Sequence, residues 1–176
     1  MHGKKLSRIL IATRYLFPKK GIWLVRTFIL FAFILFDYAT TLAFCSHPIQ
    51  EGNLLAREFM ETYGIFLGLT IYDFITNLPI YMVLCLVSYT VNFPPRLSRI
   101  IEPCVDIAFA WFVAGAHFDG AASWFWPAPE MLRQAVGFGL YLIFARVLFI
   151  KTKSFTFNPF ENETKVVDPI FQCVAK

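Results

Sequence analysis

Charged residues are scarce in this sequence. Only 16% of its 176 residues are Asp, Glu, Lys or Arg, whereas about a quarter is usual for a soluble globular domain. The basic residues flank apolar runs and form no stripe with exposed aromatic residues, which argues against nucleic-acid binding. Hydrophobic residues make up 57% of the chain. This composition predicts a single domain embedded in the lipid bilayer.

Recognised metal, redox and export signals are also missing. The four cysteines form no Cys-x-x-Cys pair, so neither a disulfide framework nor a zinc site is indicated. No His-Glu-x-x-His motif occurs. The basic segment 1–21 precedes a long apolar run that lacks a small-x-small cleavage site, so we expect a retained span rather than a removed signal peptide.

Four apolar stretches are each long enough to cross the hydrocarbon core, which needs about 20 residues. The predicted spans are 22–44, 63–89, 105–126 and 132–150. Because Lys and Arg cluster in segment 1–21, in the second loop and from Arg146 onward, the positive-inside rule predicts that both termini are cytoplasmic. Arg26, close to the inner edge, is expected to extend its side chain to the interface. The predicted fold is all-α, a four-helix transmembrane bundle over 22–150 followed by a cytoplasmic tail, 151–176.

One short phrase recurs in three of these spans: an aromatic residue, an aspartate, and a hydroxyl or amide three or four residues later. An aspartate at the centre of a membrane helix costs about 2.5–3.5 kcal/mol on insertion scales, so three of them indicate a function or a structural requirement. The predicted orientation places Asp37, Asp73 and Asp119 between the midplane and the outer third of the bilayer. We therefore expect them to converge on one site.

Neighbouring polar residues extend this predicted site. His117 lies about 200° around the helix from Asp119, so we expect only one of the two to line the site unless Gly120 permits a local distortion. The predicted metal ligands are Asp37, Asp73, His117, Asp119 and Glu51, and the supporting polar residues are Thr40, Thr41, Thr76, Asn77, Ser123, Asn53 and Arg57. Carboxylate, hydroxyl and imidazole groups suit a divalent cation, whose identity stays open, or protons shared among carboxylates.

Three functional interpretations stay open at this point. The polar cluster could bind a cation or a proton for catalysis or translocation. It could instead consist of interhelical hydrogen bonds with protonated carboxyls. A third alternative is a non-catalytic accessory subunit of a larger membrane complex. Four helices are few for an autonomous transporter, so translocation predicts a homo-oligomer or association with other membrane subunits.

A repeat and a resemblance complete the analysis. Asp37 and Asp119 share flanking aromatic and small residues, which favours a 2+2 parallel hairpin repeat. Asp37-Tyr38-Ala39-Thr40-Thr41, followed by Glu51-Gly52-Asn53-Leu54-Leu55-Ala56-Arg57, resembles a family of small polytopic membrane proteins of unknown function in archaea and bacteria. That family has Asp-x-x-Thr-Thr and then Glu-x-Asn-Pro-Leu-x-Arg, and Leu54 stands where it has proline. The resemblance covers about residues 30–65 and implies that Asp37, Thr40, Thr41, Glu51, Asn53 and Arg57 act as one unit.

Overall fold

The computed structural model describes residues 17–18, 21–90 and 94–155, without the side chains of residues 95 and 151–155. The predicted basic segment therefore lies almost entirely outside the described residues, as does most of the predicted cytoplasmic tail. The elements are α1 (Ile22–Phe44), a 3-10 turn (Pro48–Gln50), α2 (Leu54–Tyr63), α3 (Ile65–Thr90), α4 (Pro95–Phe109), a π-helical segment (Ala110–Gly115), α5 (Ala116–Ser123) and α6 (Glu130–Phe155). The all-α prediction is confirmed for this part of the chain.

Three of the described helices are long and apolar enough to cross a membrane, by length and composition: Ile22–Phe44, Ile65–Thr90 and Glu130–Ile150. They coincide with the first, second and fourth predicted spans. The third predicted span falls on α4, the π-helical segment and α5, which follow one another without a break but are 15, 6 and 8 residues long. The chain is thus compatible with a membrane protein, and the third predicted span, the total of four spans and the orientation of the termini stay predictions.

Helix α1 lies at the centre of the packing and contacts α3, α5, α6 and the π-helical segment. Its buried side chains Ile29, Leu30 and Phe33 form one core cluster with residues from three other elements, namely Leu84, Ala110, Ala114, Tyr141 and Ala145. Many large apolar side chains point outward instead, among them Phe28 at 70% exposure and Phe74 at 64%. An outward apolar surface of this kind is what lipid contact requires, because lipid tails solvate it at no cost.

Glycine permits two close approaches between helices. Helix α2 ends at Tyr63 and is followed by Gly64, whose φ of 83° is accessible to glycine without strain. The chain then reverses, and α3 packs on α2 so closely that a Cβ at Gly68 would collide with the backbone of Phe59. Gly137 of α6 likewise lies directly against the Cβ of Phe118 on α5. Helices α2 and α3, and α5 and α6, therefore form tightly packed pairs.

The expectation that Arg26 extends to the membrane interface is wrong. Its side chain is fully buried, and Nε and Nη2 donate to the two carboxylate oxygens of Asp106 at 2.7 and 3.0 Å. Nη2 also donates to the backbone oxygen of Glu102 at 3.3 Å, and the Trp23 ring lies 4.7 Å from the guanidinium carbon. A bidentate acceptor on a neighbouring helix is a stronger partner than distant water, so the guanidinium turns inward.

Candidate functional site

A polar cavity of about 800 Å³ lies among α1, α3, α5, the start of α6 and the segment that precedes α2. Eight predicted site residues line it: Asp37, Asp73, His117, Asp119, Glu51, Thr41, Asn53 and Ser123. The three aspartates of the recurring phrase therefore face one space. Each lies near the same end of the packed helices, since α1 and α5 end at Phe44 and Ser123 and α3 begins at Ile65.

Asp37 and His117 form a hydrogen-bonded pair in this cavity. His117 Nδ1 lies 2.9 Å from Asp37 Oδ2, and the two side chains are 22% and 25% exposed. The pair depends on the glycine that follows Asp119, because a Cβ at Gly120 would lie 2.7 Å from Asp37 Oδ1. The absent side chain lets the Asp37 carboxylate rest against the backbone of α5. Gly120 thus contributes space for this contact.

His117 and Asp119 both line the cavity, so the expectation that only one of them does so is wrong. The cavity is wide enough to receive side chains from different faces of α5. Asp119 Oδ1 accepts a hydrogen bond from Arg133 Nε at 2.6 Å, and the same guanidinium donates through Nη1 to the backbone oxygen of Ala128. Arg133 fixes the Asp119 carboxylate at the edge of α6 and balances its charge.

Glu51, Asn53 and Arg57 form a local unit at the mouth of the cavity. Asn53 Oδ1 accepts from the backbone N–H groups of residues 55 and 56, at 3.0 and 3.3 Å, and so caps α2. Glu51 Oε1 accepts from Asn53 N at 2.8 Å, and Arg57 Nε donates to the Glu51 backbone oxygen at 3.0 Å. Leu54 occupies the first helical position, where proline is also well accommodated, so this departure from the family pattern leaves the cap intact.

The Glu51 carboxyl lies in a poorly solvated position. Burial raises its pKa above the ordinary range, and the negative charge of Asp37 raises it further, while the hydrogen bond from Asn53 N and the charge of Arg57 act in the opposite direction. The net result is a carboxyl that holds its proton more tightly in the folded protein than in the unfolded chain. Any cation that approaches Glu51 would offset the cost of its ionisation.

Four predicted supporting residues lie off the cavity wall. Thr40 Oγ1 donates to the backbone oxygens of Phe36 and Asp37, and Thr76 Oγ1 donates in the same way within α3. Serine and threonine in membrane helices commonly donate to backbone oxygens of their own helix. Residue spacing shows which helix face a side chain is on, but it does not show this hydrogen bond. Asn77 is buried, and its Nδ2 has no partner among the described residues. Arg57 acts through Glu51, as described above.

Several residues of the cavity had not been assigned to the site from the sequence, among them Arg133, Glu130, Tyr38, Tyr72 and Trp124. Arg133 could have been found as the single guanidinium near the start of the last predicted span, opposite in charge to the three aspartates of the recurring phrase. The aromatic residues carry no such signal, because aromatic side chains are abundant throughout this chain. Their polar atoms are all engaged: Tyr38 with Thr70 at 2.8 Å, Tyr72 with Asn53 at 2.6 Å and Trp124 with Thr41 at 3.2 Å.

The described residues do not support metal binding as it was predicted. Among them, no three His, Cys, Asp or Glu side chains lie in positions that could hold a metal ion together. Two of the five proposed ligands are already occupied within the protein, since Asp37 contacts His117 and Asp119 contacts Arg133. A divalent cation therefore stays a prediction.

No protein-family model, curated protein or solved structure matches this chain. The resemblance to the archaeal and bacterial family accordingly stays a prediction. The case for a function rests on the cavity and its side chains.

Proposed function

We propose that this protein is a small integral membrane protein that binds a cation in the polar cavity. The observation that carries the proposal is the charge of the lining. Five carboxylates, those of Asp37, Glu51, Asp73, Asp119 and Glu130, face the cavity with one guanidinium, that of Arg133. Arg133 is paired with Asp119, so the rest of the lining carries an excess of acidic groups. His117 adds an imidazole, whose ring nitrogens can donate or accept hydrogen bonds.

Electrostatics explains why a cation should bind there. Carboxylates that share a small, poorly solvated space repel one another, and a cation or a proton between them relieves that repulsion. This repulsion affects Asp73 most, because its carboxylate has no hydrogen-bond or ion-pair partner within the described ranges. A bound cation would supply the missing counter-charge, as intramembrane carboxylates generally require.

Proton competition follows from the same geometry. The hydrogen bond between His117 Nδ1 and Asp37 Oδ2 fixes the orientation of the imidazole ring, and the carboxylates around it bind protons as well as cations. Cations and protons would then compete for one set of groups, so cation affinity should fall as the pH is lowered. Either catalysis or translocation is compatible with such a site, and translocation keeps the prediction of a homo-oligomer or of partner subunits in the membrane.

The test is direct binding to the purified protein in lipid nanodiscs. Isothermal titration with Mg²⁺, Ca²⁺, Mn²⁺, Zn²⁺ and small ammonium ions should reveal saturable binding of at least one cation, weakened at least tenfold by Asp73→Asn. Glu58→Gln is the matched control, because Glu58 is exposed on α2 and lies outside the cavity. Folded protein that binds none of these cations would contradict the proposal. Cation-free protein that co-purifies with larger membrane subunits would favour the accessory-subunit alternative.

A further inference from the structure

The size of the polar cavity bears on the kind of cation it holds. About 800 Å³ is within the range of roughly 300–1,000 Å³ that is typical of small-molecule sites. A divalent metal ion needs a compact shell, with oxygen atoms at about 2.0–2.6 Å. The described carboxylates and histidines do not gather in threes around any such point. The space is therefore better matched to an organic cation than to a bare ion.

Three aromatic side chains form part of the wall. Tyr38 and Tyr72 come from α1 and α3, and Trp124 follows α5. Each is anchored by a hydrogen bond through its polar atom, to Thr70, Asn53 and Thr41 respectively. With the polar ends engaged, the apolar parts of the rings remain as a wall for a ligand. Aromatic faces attract cations that carry carbon groups, and Trp is the strongest of them.

The hydrogen-bond acceptors of the cavity indicate which class of organic cation it favours. Asp73 faces the cavity without a donor from the described residues, and the Asp37 carboxylate lies across the same space. A quaternary ammonium has no N–H group to give to these oxygens, whereas a primary ammonium has three. Charge-assisted N–H···O⁻ bonds are about twice as strong as neutral ones, so the carboxylates favour a cation with N–H donors.

We infer that the ligand of the cavity is a protonated amine with an organic substituent. Its ammonium group would donate to Asp73 and to the second carboxylate oxygen of Asp37, Oδ1, because Oδ2 is engaged by His117. Its carbon groups would contact Tyr38, Tyr72 and Trp124. This inference rests on the proposed cation-binding function and specifies the ligand class for the same cavity. It does not depend on the orientation of the protein in the membrane.

Butylamine is a suitable probe, because it is fully protonated at pH 7 and small enough for the cavity. Titration into nanodisc-embedded protein should give saturable binding, and 1-butanol, which has nearly the same shape without the charge, should bind at least tenfold more weakly. Tetramethylammonium, a cation without N–H donors, should also bind more weakly than butylamine. Asp73→Asn should lower the butylamine affinity at least tenfold, Trp124→Leu severalfold, and Glu58→Gln not at all.

Different failures have different meanings. If Ca²⁺ or Mg²⁺ binds in a manner that depends on Asp73 while butylamine neither binds nor competes, the amine inference is wrong and the cation-binding proposal stands. If no cation of either class binds, both fail. Equal affinity for butylamine and 1-butanol, or for butylamine in wild type and Asp73→Asn, would also overturn the inference. Tetramethylammonium binding as tightly as butylamine would overturn the assigned role of N–H donors.

Discussion

His117 Nδ1 and Asp37 Oδ2 lie 2.9 Å apart although the two residues are separated by 80 positions in the chain. This contact joins α1 to α5 at the wall of the polar cavity. It brings together an imidazole and the carboxylate that orients its ring. The contact therefore links two helices and fixes the orientation of two side chains that line the cavity.

Gly120→Ala should weaken this pair. The new Cβ would lie 2.7 Å from Asp37 Oδ1, so the carboxylate or helix α5 must move. Overpacking of this kind typically lowers the free energy of unfolding by about 1–3 kcal/mol. We expect a loss in that range in mixed micelles, with a change in the ¹⁵N chemical shifts of the His117 ring. Gly139→Ala is the control, because nothing lies within 4 Å of a Cβ there; equal losses for both variants would contradict the close contact.

Arg26→Met should be strongly destabilising. It would leave the Asp106 carboxylate, which is only 16% exposed, without its guanidinium partner, and removing one member of a buried pair usually costs about 3–5 kcal/mol. The double variant Arg26→Met with Asp106→Leu removes both charges and should recover most of that loss. Chemical unfolding of the two variants in micelles gives the comparison. A double variant no more stable than the single one would show that the ion pair is not the source of the cost.

Asn53 has two separable roles. Asn53→Ala removes the cap of α2 and should lower the free energy of unfolding by about 1 kcal/mol, within a range of about 0.5–2. Asn53→Asp keeps the capping oxygen but loses the Nδ2 donor to Tyr72. We expect the aspartate variant to retain most of the stability while altering Tyr72 ultraviolet absorbance. Loss of stability as large as that of the alanine variant would mean that the Tyr72 bond, rather than the cap, dominates.

The raised pKa of Glu51 predicts a defined pH effect. Because the folded protein holds this proton more tightly than the unfolded chain, protonation stabilises the fold. That contribution is complete below the ordinary glutamate pKa of about 4.3 and is lost as the pH rises through the raised folded-state value. Glu51→Gln stays neutral and can still accept from Asn53 N, so its stability relative to wild type should increase across this window.

Unfolding free energies of wild type and Glu51→Gln, measured over a pH series, test that expectation. Glu58→Gln removes an exposed carboxylate outside the cavity and should retain the wild-type pH dependence. A Glu51→Gln variant whose stability relative to wild type does not change with pH would show that Glu51 is not the group responsible.

The helices and the polar cluster could be predicted from the sequence to different extents. Apolar runs of sufficient length locate α1, α3 and α6 well, because membrane-compatible helices depend on local composition. The shared location of Asp37, Asp73 and Asp119 follows from counting residues along helices of known rise. The internal structure of the third predicted span could not be predicted, because no feature of the sequence marks the π-helical segment that divides it.

Pairing between distant residues could not be predicted in the same way. Arg26 lies close to the predicted inner edge of its span, and only the tertiary fold brings Asp106 of α4 within hydrogen-bond distance of it. His117 and Asp119 both line the cavity because it is wide, and helical periodicity alone does not predict the width of a cavity. The partner of Arg133 could not be predicted either, because the packing of α5 against α6 brings Asp119 to it. These features are set by tertiary contacts.

Two side-chain pairs join α1 to the continuous stretch formed by α4, the π-helical segment and α5, and they have one further consequence. Arg26–Asp106 and Asp37–His117 share the same offset of 80 positions and lie roughly 16 Å apart along the helix at 1.5 Å per residue. They have opposite polarity, since α1 provides the cation of one pair and the carboxylate of the other. Sliding one helix along the other would break both pairs at once. If the stretch formed by α4, the π-helical segment and α5 moves to open the cavity while both pairs persist, it must bend, and the π-helical segment between the two pairs is where such bending is easiest.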